Sequence, residues 1–210
     1  MKLMLTSAGV TNKSLENALK QLVKGKIKMA FIPTAANIEE GDKDWLITDL
    51  NNCRKLGEVD IVDISALEKD VWLSRLEKAN VIFVGGGNTV YLMVCVLKSG
   101  LDKELKELLK TRVYVGISAG SVVLSKTLFA SSEFLYDDED GKEHEGLGYV
   151  NFHVRPHLNS KHFPKVRDEF LKELASKIEG TIYALDDSSA VVYDSGKIEI
   201  ISEGKWIKYN

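Results

Sequence analysis

Four short segments of this sequence carry the groups from which acyl-transfer chemistry is built. The first is Gly116-Ile117-Ser118-Ala119-Gly120, which continues the apolar run from Val113 and leads into a helical pattern through Val122, Val123 and Leu124. Glycines on both sides of Ser118 permit a sharp strand-to-helix turn. Such a turn lifts the hydroxyl above a sheet and sets the next backbone N–H beside a developing oxyanion. As a bare pattern GxSxG arises often by chance, and its plainer reading is a Gly-Ser turn after a strand. Its position between a buried strand and a helix favours a nucleophile.

A serine nucleophile needs a base, and the chain has four histidines. His144 lies among acidic residues and His162 opens a helical segment, so both are expected to face solvent. His153 alternates with Phe152 and Val154 and reads as a histidine on a sheet face. His157 follows Arg155-Pro156, where the proline ends a strand and sets the imidazole at its carboxyl end. We therefore take His157 as the base. A carboxylate must then fix the tautomer of that ring. Asp186 and Asp187 follow the strand-like run Ile182 to Leu185 and precede Ser188-Ser189. Alone they would read as an ordinary turn; with Ser118 and His157 upstream they complete the order Ser, His, acid. That order differs from the Ser, acid, His of α/β-hydrolases, so the likeness of GxSxG to lipases is local.

The fourth segment is Gly85-Gly86-Gly87-Asn88-Thr89, again after an apolar run and before a helical one, with Asn88 or Thr89 as cap. It lacks the GxGxxG spacing and the Lys of a P-loop, so a phosphate site has little support. Its N–H groups could instead meet the reaction centre of Ser118, with Gly86 and Gly87 as oxyanion donors.

The elements that must position these groups are legible in the periodicity. Short apolar runs at 3–5, 27–32, 59–64, 81–84 and 113–117 alternate with stretches of helical spacing, such as Leu15, Leu19 and Leu22, or Leu46, Leu50 and Cys53, or the repeat from Leu101 to Leu109. This predicts an α/β fold with a mostly parallel sheet covered by helices on both faces, and chemistry at the carboxyl ends of its strands. After residue 180 the pattern changes to four strand-like runs punctuated by Asp194-Ser195-Gly196 and Glu203-Gly204, which predicts a C-terminal antiparallel meander. With no repeat, low-complexity tract or Pro-rich linker, residues 1–210 read as one α/β domain.

Lys and Arg number 28 against 31 Asp and Glu, a net charge of −3, with both signs spread along the chain. That disfavours a nucleic-acid or anionic-membrane partner. Cys53 and Cys95 stand in no metal-ligand or CxxC spacing and read as two buried thiols in a reducing compartment. The start turns polar at Thr6 and Ser7, and no apolar run approaches a membrane span, so a cytoplasmic protein is expected.

Taken together, the Gly85 to Thr89 block, Gly116 to Ser121, Arg155-Pro156-His157 and Leu185-Asp186-Asp187-Ser188-Ser189-Ala190 resemble the four signature blocks of the peptidase E family of serine peptidases, which includes cyanophycinases. The blocks occur in the same order across essentially the whole chain. The resemblance implies a flavodoxin-like fold related to class I glutamine amidotransferases, with no metal or organic cofactor. It assigns Ser118 as nucleophile, His157 as base and Asp187 as the third member, where relatives usually carry Glu. Gly86, Gly87 and Ala119 would form the oxyanion hole. Glu133 matches an alternative acidic position and is given a substrate-binding role, together with Asn88 and Arg167. The implied partner is a small peptide substrate, for a monomer or homodimer.

The family's usual substrate begins with aspartate, and members with that preference carry an arginine in the helical region after the histidine. Arg167 lies in that region, but the surrounding residues align Phe163 with the arginine. Seven of the acidic residues also fall between Glu133 and Glu145. Read as a turn they are solvated; read as a lid they would repel an acidic side chain and attract a free α-amino group. The expectation is a dipeptidase acting from the amino terminus without strict aspartate preference. An esterase or amidase on the same triad, a silent ligand-binding module, or a phosphate binder on the Gly85 loop are the alternatives.

Overall fold

The computed structural model of the chain describes residues 1–128 and 144–210. The five apolar runs form parallel strands β1 (Lys2–Thr6), β2 (Lys28–Ile32), β3 (Glu58–Ile61), β4 (Val81–Val84) and β5 (Val113–Ile117). They lie in the order β3-β2-β4-β5-β1. Because side chains alternate across a strand, Leu3 and Leu5 enter one core and Met4 the other. Helices α1 (Lys13–Leu22) and α2 (Asp44–Leu56) cover the Met4 face, burying Leu15, Leu19 and Cys53. On the opposite face lie α3 (Lys69–Lys78), α4 (Thr89–Ser99), α5 (Leu101–Leu108) and the single turn α6 (Ala119–Val122), through Trp72, Leu92, Leu105 and Val122. Strands β1, β2, β4 and β5 are thus buried on both sides, as their continuous apolar runs require, whereas the edge strand β3 is largely exposed. Cys53 and Cys95 are both buried thiols. Among the described residues no helix is long and apolar enough to cross a membrane.

The four C-terminal runs are strands, but they do not form one consecutive meander. Strands β8 (Ser189–Asp194) and β9 (Lys197–Ser202) extend the large sheet as an antiparallel hairpin against β1. Their turn has positive φ at Ser195 and Gly196. Strands β7 (Thr181–Leu185) and β10 (Trp206–Tyr209) instead pair with each other, and β7 pairs in parallel with β6 (Phe152–Arg155), giving a separate sheet of order β10-β7-β6. Since β6 and β10 occupy both edges of β7, β8 must pair elsewhere. The chain changes sheets at Asp186, whose N–H donates to the Lys205 carbonyl and whose carboxylate accepts from Ser188 N–H and Ser189 Oγ. Helix α7 (Asp168–Ala175) packs Leu171 and Leu174 on the small sheet, with Ile182 and Tyr209. It starts six residues after His162, because Pro164 interrupts the segment that the sequence suggested as helical.

Candidate active site

Ser118 stands where β5 turns into α6, with φ of 47° and ψ of −108°, a region that L side chains rarely adopt. The backbone around it holds that conformation. Ser118 N–H donates to the Thr6 carbonyl at 3.1 Å, and its own carbonyl accepts from Ser121 and Val122. The turn is tight enough that a Cβ on Gly116 would lie 2.6 Å from Gly120 backbone atoms, and one on Gly120 would overlap the Val84 carbonyl. Both flanking glycines are therefore required by close approach of β5, α6 and β4.

The other side of the site comes from the small sheet. His157 follows β6 and Asp187 follows β7. His157 Nε2 lies 3.0 Å from Ser118 Oγ, and His157 Nδ1 lies 2.8 Å from Asp187 Oδ1. With a carboxylate on Nδ1, the neutral ring carries its proton there and turns the Nε2 lone pair toward the serine hydroxyl. Burial works against the Asp187 carboxylate, but the hydrogen bond and charge of His157, with the hydroxyl of Ser7, outweigh it and hold its pKa below the ordinary value. The imidazole is stacked on Phe163, with centroids 4.2 Å apart and planes 6° from parallel. Asp186 points away, into the turn described above, so only the second aspartate of the pair reaches the histidine.

Sequence reasoning missed Ser7. Its fully buried hydroxyl donates to Asp187 Oδ1 at 2.7 Å and accepts from His157 N–H at 2.8 Å. Ser7 follows β1 as Ser118 follows the neighbouring β5, so the signal was its place at the carboxyl end of a parallel strand. Thr11 Oγ1 and Asn12 Nδ2 hold the carbonyls of Asp187 and Ser188 from the same side.

Gly86 and Gly87 form the third wall. A Cβ on Gly86 would stand 3.4 Å from Ser118 Cβ, and Gly87 has a φ of +129° that brings it against the Ala35 carbonyl. The N–H groups of Gly86, Gly87 and Ala119 donate to no acceptor among the described residues, so all three remain open beside Ser118. These walls enclose a cleft of about 520 Å³. It is also lined by Trp45, Asp49, Ile117, Ser160, His162 and Phe163, with Glu39 and Glu40 on its exposed side.

Two of the three residues assigned to substrate binding, Asn88 and Arg167, fall elsewhere. Asn88 caps α4, accepting from Tyr91 N–H at 2.8 Å, and Arg167 donates to the carbonyls of Ser160, Phe163 and Val166. Neither lines the cleft. Arg167 braces the turn that presents Ser160 and Phe163, and this use of its guanidinium is why it does not reach substrate space. Glu133 and the acidic stretch 136–143 lie outside the described residues. Of the remaining histidines, His153 is buried with Nε2 near the Glu179 carbonyl, His144 is half-buried, and His162 is exposed at the rim of the cleft.

Comparison with known proteins points one way. The model of peptidase family S51 matches residues 3–201. An uncharacterized peptidase of Listeria monocytogenes is 28% identical over 193 residues, covering 90% of this chain and 92% of the relative. Peptidase E of Escherichia coli is 25% identical over 204 residues, covering 92% of this chain and 86% of the relative. A solved structure of a candidate peptidase E protein from Listeria monocytogenes EGD-e superposes with a TM-score of 0.78 at 23% identity, covering 97% of this chain and 98% of that one.

Proposed function

The chain belongs to peptidase family S51 and is a serine peptidase; from that premise we propose that it hydrolyses dipeptides or short peptides from the amino-terminal end through an acyl-enzyme on Ser118. The observation that carries this reading is the unbroken chain from Ser118 Oγ through His157 to Asp187, at 3.0 and 2.8 Å.

His157 Nε2 takes the hydroxyl proton as Ser118 Oγ attacks the peptide carbonyl, and the carbonyl oxygen becomes an oxyanion facing the N–H groups of Gly86, Gly87 and Ala119. Asp187 stabilises the imidazolium and fixes the ring's orientation without taking the proton. His157 then gives its proton to the leaving amine as the carbon–nitrogen bond breaks. Water enters, loses a proton to His157, and releases the carboxylic acid from Ser118 by the same steps reversed. Ser7 acts through Asp187 and His157: its hydroxyl holds the carboxylate oxygen that faces the ring. Each oxyanion donor is worth about 3–4 kcal/mol of transition-state stabilisation, so the glycine loop weighs almost as much as the triad.

The test is turnover of a dipeptide panel by Ser118→Ala. A loss of about 10⁴-fold or more in kcat, with an unchanged melting transition, is the expected result. Undiminished peptide turnover in that variant would overturn the reading.

A further inference from the structure

Of the carboxyl groups in the cleft that have no part in the chemistry just described, Asp49 is the one withdrawn from solvent. Asp49, on α2, lines the same cavity as Ser118, His157 and Asp187. Among the described residues it has neither a hydrogen-bond nor an ion-pair partner. Removing a carboxylate from water without a partner is costly, and a structural role would be filled as well by an apolar side chain of similar size. The groups around Asp49 offer it nothing. Cys53 lies one turn along α2 as a buried thiol, and the Gly9 loop faces it with backbone, its Cβ position 3.9 Å from Asp49 Oδ1. Asp187 repels it from the loop after β7, Glu39 and Glu40 line the exposed side of the same cleft, and His157 is already bonded to Asp187 and Ser118. Burial first, and then Asp187, push its pKa up to about 7.

On the peptidase reading given above, we propose that Asp49 anchors the free α-ammonium group of the substrate, which makes the enzyme selective for peptides with an unblocked amino terminus and a neutral first side chain. The rest of the cleft agrees with this assignment. Its apolar lining, Trp45, Ile117 and Phe163, suits an aliphatic or aromatic side chain. Its described lining contains four carboxyl groups, Glu39, Glu40, Asp49 and Asp187, and no Lys or Arg. An aspartate in the first position would add another anion to that wall with no lysine or arginine to receive it, at a cost of unpaired, partly desolvated charge.

Binding an ammonium ion stabilises the ionised form of Asp49, so binding and deprotonation are coupled. The sign is definite: as pH rises through about 7, the value to which Asp49 is raised, more of it is charged before substrate arrives and KM falls. The gain ends where the peptide's own amino group deprotonates, near pH ~8. Because the reaction itself moves a proton through His157, the assignment is read from a substrate ratio and not from a pH profile alone.

The experiment compares cleavage of Leu-Ala with N-acetyl-Leu-Ala by the wild type, Asp49→Asn, Asp49→Glu and Ser118→Ala. In the wild type, kcat/KM for the free dipeptide should exceed that for the blocked one by about 10- to 100-fold, the range of a charged hydrogen bond. Asp49→Asn should reduce this ratio by about tenfold or more, mainly through KM, and Asp49→Glu should restore part of it. Asp-Ala should be a poorer substrate than Leu-Ala for the wild type. A wild type that cleaves both forms of Leu-Ala equally well, or an Asp49→Asn ratio equal to that of wild type, overturns the anchor while leaving the Ser118 mechanism standing. Absence of any Ser118-dependent cleavage overturns the peptidase reading, and the anchor with it.

Discussion

Ser118 is placed by backbone: its N–H on the Thr6 carbonyl, its carbonyl under Ser121 and Val122, and two glycines that let β4, β5 and α6 close around it. His157 and Asp187 are placed by side chains, and those side chains belong to the other sheet. Ser7 Oγ holds both residues, while Thr11 and Asn12 hold the carbonyls of Asp187 and Ser188. The large sheet therefore fixes the serine half of the site as a consequence of its fold. The histidine half reaches it from the small sheet, held in line by a few hydroxyl and amide contacts across the seam and by the Asp186 turn where the chain changes sheets. The exposure of the two halves differs accordingly: the strand leading to Ser118 is wholly buried, whereas the Asp187 side chain remains 48% exposed.

The contrast can be broken at several points. The largest effect is expected from Asp187→Asn, which keeps the shape of the small-sheet half but leaves Nδ1 facing an amide, so the ring can adopt the unproductive tautomer. A fall of about 10⁴-fold in kcat, measured on the best dipeptide, is expected. The neighbouring Asp186→Asn should lose stability in chemical denaturation instead, because that carboxylate clamps the crossing between sheets. Gly87→Ala comes next. It forces a side chain into a positive φ and against the Ala35 carbonyl, so the loop must move its open amides, and kcat should fall about 100-fold with KM less affected.

Ser7→Ala probes the seam itself and should cost about tenfold in kcat, the scale of one hydrogen bond to a charged group. The Ser7 hydroxyl is one of the contacts that lower the pKa of Asp187. Its removal should therefore raise that pKa and move the acid limb of the pH–rate profile upward. A merely structural role would lower stability and leave the profile where it was. The smallest effect is on stability. Asp49 is raised from 3.8 to about 7, so the folded state holds a proton that the unfolded state releases, and stability is lost as pH rises between those values. Asp49→Asn should remove that loss and raise stability at pH 8 by about 1–3 kcal/mol, seen as a higher melting temperature than wild type at pH 8 but not at pH 4.

The same contrast explains what could be read from sequence. The parallel strands, the helices on their two faces and the Ser118 turn were legible because each is encoded locally, by an apolar run, a helical spacing or glycines at fixed offsets. The order of Ser118, His157 and an aspartate after the next strand-like run was legible because each follows such a run, whereas the choice of Asp187 over Asp186 came only from the resemblance to the peptidase E family. The division of the C-terminal strands between two sheets was not, since periodicity carries no information about which edge a strand will pair with. Ser7 and Asp49 were missed for a similar reason: Ser7 matters through residues 150 and 180 positions away, and Asp49 looks like one more polar residue on an amphipathic helix. Asn88 and Arg167 show the converse, polar residues near the site in sequence whose hydrogen bonds serve a helix cap and a turn.

The central claim is that Ser118 is a nucleophile activated by His157 and Asp187. It is tested most directly by the intact mass of the protein after incubation with a fluorophosphonate. The account predicts a single adduct that peptide mapping places on Ser118, absent from Ser118→Ala and formed far more slowly by His157→Ala. An unlabelled wild type, or an adduct that persists in Ser118→Ala, would contradict it.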